Sequence, residues 1–182
     1  MLDLTKKALP NVVTMNGVPF SIHTDFRKWI KFEIEVSKLK KASDTIDVSY
    51  LFVNDKPRFI DLNQLFEFSR PHNDLPRSNG RESHARAYDF EKDGDMIYAS
   101  FMQAYGIDLF SIEHLHYHKF LALLHNLPEG TSMRDVMGYR TYVKDNRKNV
   151  DVYEELQRAW ALESEDDFTD EELEDFSNKF GE

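Results

Sequence analysis

From Tyr88 to Tyr139 the chain places apolar and aromatic side chains at helical spacing, punctuated at Gly106 and Pro128. A period near 3.6 sustained over such a stretch commits this part of the chain to helices, since strands alternate with period two. Asp89 is the expected N-cap of a first helix with apolar positions Phe90, Ile97, Phe101 and Met102. Tyr98 and Tyr105 add a second aromatic row. Gly106 suits the position after a helix end, where a positive φ favours glycine. Ser111 is the expected cap of a second helix, which runs to about Asn126 and stops at Pro128. Its broad apolar face holds Ile112, Leu115, Phe120, Leu123, Leu124 and Leu127. Thr131 or Ser132 opens a short helix with Met133, Val136 and Met137. A last core helix is expected over Val152–Leu162, carrying Tyr153, Leu156, Trp160 and Ala161. Tyr88, Phe90, Tyr98, Phe101, Tyr105, Phe120 and Leu124 form the expected core of the block, with Tyr98, Phe101, Phe120 and Leu124 packed against one another. Aromatic-rich surfaces also anchor partners, so part of this row is available to an interface.

The N-terminal part reads differently. Val12, Val13 and Thr14 precede Asn16-Gly17, and Val18, Phe20 and Ile22 follow, which is the pattern of a tight β-hairpin. Pro19 makes the second strand an edge strand. Thr24 or Asp25 can cap a helix through FRKWIKFEIEVSKL, whose apolar face holds Phe26, Ile30, Ile34 and Leu39 beside Trp29 and Val36. The segment IDVSYLFV is ambiguous: its β-branched residues favour a strand, while Ser43 could cap a helix. Asp61–Arg70 reads as a short helix with Leu62, Leu65, Phe66 and Phe68. The polar stretch PHNDLPRSNGRESHARA, residues 71–87, reads as a linker or mobile loop between residues 1–70 and the helical region 88–162.

Charge is unevenly placed. The formal net charge is −10, yet residues 163–182 alone hold ten acids and one lysine. The body is therefore nearly neutral, and the acidity belongs to a tail. A chain with no strong basic stripe is not expected to bind nucleic acid, because phosphate neutralisation supplies most such affinity. The tail has its own helix signals. Thr169 and Glu172 form a capping box, with Phe168 and Leu173 as its hydrophobic staple. Leu173, Phe176 and Phe180 share one face, while Glu171, Glu172, Glu174 and Asp175 supply a carboxylate-rich remainder. About twelve helical residues are marginal alone in water, so this segment is expected to form a helix by docking on a partner or a second copy. These eight residues are the candidate partner-binding set.

Composition excludes several chemistries. The chain has no cysteine, so disulfides, thiolate zinc sites and cysteine nucleophiles are absent. No apolar run approaches the roughly 20 residues that span a bilayer, and the first residues lack a signal-peptide core. A cytoplasmic protein is the expectation. His114, His116, His118 and His125 are the most tempting constellation, since His114 and His118 at i and i+4 can face one metal ion. No HEXXH motif and no third ligand at fixed spacing accompany them, so surface or structural histidines are the expectation and no cofactor is assigned. Asp89, Glu91, Asp93 and Asp95 resemble a calcium loop. However, Ser100 stands where its twelfth-position glutamate belongs, so they read as first-turn acids favoured by the helix dipole. GRESHARA lacks the setting of a nucleophile elbow, and no phosphate-binding loop or dinucleotide fingerprint occurs.

YDFEKDGDMIYASFMQAYGIDL, then LHYHKFLALLHNLPEGT, then MGYR resemble, in that order, the gene-product-fifteen family of long-tailed phages. That family reads YDFE-x-D-x-x-x-I-Y-A-x-F, YGIDL, an LHWWKF-like helix and an x-L-P turn. The chain departs from it at Tyr117 and His118, where two tryptophans are expected, and at Gly94. The resemblance favours a helix for IDVSYLFV. It also implies a tail-assembly chaperone, encoded near the tape-measure gene, that holds the tape-measure protein in the host cytoplasm. The tail-tube protein is a second candidate partner. The expected architecture is mainly α, with a small N-terminal hairpin and an acidic amphipathic tail, and the expected function is binding rather than catalysis. The alternatives are a minor tail or connector protein retained in the virion, and a metal-dependent enzyme built on the histidine helix.

Overall fold

Asn16 and Gly17 take φ of 48° and 79° and turn the chain between β1 (Val12–Met15) and β2 (Val18–Ser21). Two successive positive φ angles match the twist of a two-residue hairpin, and Asn-Gly adopts them at little cost. The strands pair antiparallel with Met15 opposite Val18 and Val13 opposite Phe20. The computed structural model describes residues 3–39, 45–70, 86–143 and 150–162. Among them six α-helices and this one sheet make a mainly α fold. The expected linker, apart from residues 86 and 87, and the whole acidic tail lie outside the described residues, as does Ser43.

The described residues divide into two compact units. The first gathers residues up to Arg70 together with Glu113–Ala122. Its helices are α1 (Phe26–Ser37), α2 (Leu62–Ser69) and the first part of α4 (Tyr117–His125). Asp25 caps α1 by accepting from the Arg27 N–H, and Asp61 caps α2 in the same way through Asn63. The buried face of α1 is Phe26, Trp29 and Phe32 rather than the Phe26–Ile30–Ile34–Leu39 row read from the sequence. Trp29 explains the rotation. Its ring is fully buried among Phe32, Phe68 and Tyr117, with centroids 5.6, 4.4 and 5.8 Å away, and its indole N–H donates to the His23 carbonyl at 2.7 Å. A large side chain with one polar atom to satisfy sets the face that smaller aliphatics then follow.

IDVSYLFV does not form the expected helix. It makes one 3-10 turn, Ser49–Leu51. The backbone there is engaged elsewhere: the Leu51 carbonyl accepts from His23 N–H, and Val53 N–H donates to Ser21. These bonds draw the segment alongside the end of β2, and Val48, Leu51 and Phe52 are buried. The β-branched content was the better guide at this point.

The second unit holds residues 86–112, 123–143 and 150–162. Helix α3 spans Gly94–Tyr105 and closes at Gly106 with φ of 63°. Asp89 is not its N-cap. Asp89 instead folds a turn ahead of the helix by accepting from the N–H groups of Glu91 and Lys92. Ser111 likewise does not cap α4, which starts six residues later at Tyr117. In the intervening chain His116 pairs with Asp25 across an antiparallel bridge in the first unit. Helix α5 (Ser132–Arg140) takes its N-terminal satisfaction from another helix, because the Ser100 hydroxyl on α3 accepts from Met133 N–H at 3.1 Å. Ile97, Phe101, Leu109, Leu124, Leu127, Met133, Val136 and Met137 are the unit's buried apolar residues.

Helix α6 (Val150–Trp160) corrects the expected core helix over Val152–Leu162. None of its residues is buried. Gln157 ties it to the end of α5 through the carbonyls of Arg140 and Tyr142, and Tyr153 stacks on Tyr142 with centroids 5.1 Å apart. Tyr153 and Gln157 therefore face α5, while Asp151, Glu155 and Arg158 are exposed and Val152 and Trp160 remain open.

Candidate partner-binding surface

The histidines do not form a ligand set. Because α4 begins at Tyr117, His114 precedes the helix and shares no helical face with His118. His114 Nε2 lies 3.3 Å from the Thr24 hydroxyl. His116 holds Pro10 and the helix start together: its Nε2–H donates to the Pro10 carbonyl at 2.9 Å, and its Nδ1 accepts from His118 N–H at 3.1 Å. That pair of bonds fixes one neutral tautomer and makes the imidazole the cap of α4. His118 donates from Nε2 to the Phe68 carbonyl at 2.7 Å, and its buried Nδ1 has no hydrogen-bond partner among the described residues. Burial pushes the pKa of both rings below the ordinary value. His125, beside the Tyr88 hydroxyl at 3.2 Å, is lowered for the same reason. Among the described residues no group of three or more His, Asp or Glu side chains is arranged to hold a metal.

Asp93 is not a solvated first-turn acid. Its carboxylate is buried and receives both terminal nitrogens of Arg140, with Nη2 to Oδ1 at 2.9 Å, and the Asp89 N–H at 2.7 Å. Arg140 also donates from Nε to the Trp160 carbonyl and from Nη1 to Ala87. One guanidinium thus joins α3, α5, α6 and the chain entering the signature block, all within the second unit. The residue pattern contained both partners, but nothing in their spacing linked positions 47 apart.

The signature aromatics have distinct fates. Phe101, Phe120 and Leu124 are buried, while Tyr88, Phe90, Tyr98 and Tyr105 are half-buried. Phe120 belongs to the first unit, where it stacks on Phe26 with centroids 4.9 Å apart. Tyr105 caps the end of α4, its single hydroxyl proton shared between the carbonyls of Leu123 and Asn126. Tyr98 is not a core partner of Phe101. Its ring lies 5.3 Å from Phe110, which is 85% exposed. Met102, one turn after Tyr98 on α3, is exposed as well. Phe110 is held outward by local geometry: Asp108 accepts from the N–H groups of Phe110 and Ser111 and folds a turn just after the Gly106 stop. Sequence reading missed Phe110 because it stands in no helical register.

The second unit therefore shows two apolar surfaces. One is Tyr98, Met102 and Phe110. The other is the open side of α6, where Val152 is 55% and Trp160 39% exposed and Leu156 lies between them. Isolated exposed apolar residues are ordinary, but contiguous aromatic ones mark interaction surfaces. The candidate tail residues Phe168, Glu171, Glu172, Leu173, Glu174, Asp175, Phe176 and Phe180 lie outside the described residues. No described helix is long and apolar enough to cross a membrane.

Comparison with known families gives one match. The model described as Bacteriophage Gp15 protein matches residues 5–162. No curated protein and no solved structure matches the chain.

Proposed function

The chain belongs to the Bacteriophage Gp15 protein family, a family of phage structural or assembly-related proteins, and on that premise we propose that it is a non-enzymatic tail-assembly chaperone. In this reading it holds the tape-measure protein in the host cytoplasm until tail-tube subunits take its place. The observation that carries the reading is the open aromatic surface of Tyr98, Met102 and Phe110 on a rigidly packed helical unit. A long helical client needs its apolar faces masked before assembly, and an exposed aromatic and methionine patch accepts such faces without demanding one sequence. The acidic tail keeps the complex soluble.

The test is co-expression with the tape-measure protein, followed by affinity capture. The native chain is expected to retain the client in solution. Phe110→Ser combined with Met102→Ser is expected to lose it while unfolding at the same urea concentration as the native chain. Capture unchanged by that variant would remove this surface from the reading, and a client that stays soluble without the chain would remove the chaperone role.

A further inference from the structure

Hydrogen bonds between antiparallel strands alternate along the pair, and the Ile22 N–H to Asn11 carbonyl bond fixes their phase in the hairpin. Val13 with Phe20 and Met15 with Val18 are then the bonded pairs, while the N–H and C=O groups of Val12 and Thr14 point away from β2. The outer edge of β2 is blunted. Pro19 has no N–H to offer, and the Ser21 carbonyl accepts from Val53 N–H at 3.0 Å. Nothing comparable protects β1. Among the described residues no hydrogen bond reaches the main chain of Val12 or Thr14, and β1 carries neither a charge nor a proline.

A groove of about 330 Å³ runs along that edge, built wholly from the first unit. It touches Val12, Val13 and Thr14 in succession. Side chains of successive strand residues point to opposite faces, so a groove touching all three lies at the edge, where the main chain is accessible. Helices α2 and α4 contribute Gln64, Phe68 and His118 to its lining. Glu67 and Arg70 line it with opposite charges, so it favours neither sign. Unpaired donors and acceptors alternating along a strand ask for extended backbone. A helix has its own main-chain groups engaged and cannot supply them.

We propose that the outer edge of β1 is a strand-addition site, at which an extended, uncharged segment of a partner protein pairs with the main chain of Val12 and Thr14. The hydrogen bonds supply affinity, and the groove beside them selects among side chains. The site shares no residue with the Tyr98–Phe110 surface, so its failure leaves the chaperone reading untouched.

Amide hydrogen exchange of the full chain tests it. In the free chain the Val12 and Thr14 amides are expected to exchange rapidly, while those of Val13 and Met15 are slow. The chain has no cysteine, so Glu67→Cys, exposed on the groove, gives a single attachment point. The probe is a peptide of alternating threonine and valine, joined through an N-terminal Cys-Gly-Gly by a disulfide, which raises its effective concentration to the millimolar range. It is expected to slow exchange at Val12 and Thr14 at least about tenfold, and the same peptide N-methylated throughout is expected to leave both rates unchanged. Unchanged rates with the unmodified peptide, or equal slowing by the methylated one, would overturn the proposal. Slow exchange of these two amides in the free chain would also overturn it, by showing the edge already covered, as would protection that grows with chain concentration, by showing that a second copy occupies it.

Discussion

Arg140 and Asp93, 47 residues apart, form a two-pronged ion pair in which the side chains are 4% and 2% exposed. A buried pair of this kind adds little over a well-packed apolar pair, but loss of one member strands the other charge. Arg140→Ala is expected to cost about 3–5 kcal/mol in urea denaturation. Arg140→Lys is expected to recover little of it, because an ammonium cannot serve both carboxylate oxygens and the carbonyls of Ala87 and Trp160 together. A lysine variant as stable as the native chain would show that the fork geometry is unimportant.

Phe120 and Phe110 offer a contrast within one residue type. Phe120 is fully buried on Phe26, so Phe120→Ala is expected to cost about 3–5 kcal/mol. Phe110 is open, and Phe110→Ala is expected to change stability by less than about 0.5 kcal/mol. Equal costs in chemical denaturation would contradict the placement of one of them.

Stability is expected to fall in mild acid through His116, His118 and His125. Burial lowers the folded pKa of all three below 6.5, so the unfolded chain binds protons first as the pH drops. Stability is full above about pH 6.5 and declines as the pH falls from there through the lowered folded values. Protonation of His116 Nδ1 would also remove the cap of α4. The urea midpoint of the native chain is expected to drop between pH 7.5 and 5.5, and His116→Asn, which retains a capping oxygen, is expected to drop less. A midpoint flat across that window would show that these rings titrate normally.

Ser100 tests the satisfaction of one helix by another. Ser100→Ala leaves the Met133 N–H buried without its acceptor and is expected to cost about 1–3 kcal/mol. Ser100→Thr, which keeps the oxygen, separates loss of the hydrogen bond from loss of volume. If Ser100→Ala is as stable as the native chain, α5 has another acceptor for that group.

The sequence made the helical class, the Asn-Gly hairpin, a cap at Thr24 or Asp25, the short helix after Asp61 and the Gly106 stop legible, because each follows from local backbone chemistry. What it concealed depends on distant partners. IDVSYLFV has a helix-compatible composition until His23 and Ser21 claim its backbone. His114 and His118 share a helical face until the His116 ring fixes the start of α4 between them. Trp160 reads as core because it lies on an apolar stripe, yet the helix meets the body chiefly through Tyr153 and Gln157 and leaves Trp160 39% exposed. The Tyr98–Phe110 pair escaped detection for the same reason: Phe110 sits in a turn, where periodicity carries no information.

The most direct measurement of the account is the fate of the chain during tail assembly. Its amount in infected cells and in purified virions can be compared by quantitative mass spectrometry, with the tape-measure protein as internal reference. The account predicts that the chain co-purifies with the tape-measure protein before tails are complete and is absent from finished particles. Its presence in virions at a fixed ratio to the tail proteins would contradict the chaperone reading and identify a structural component instead.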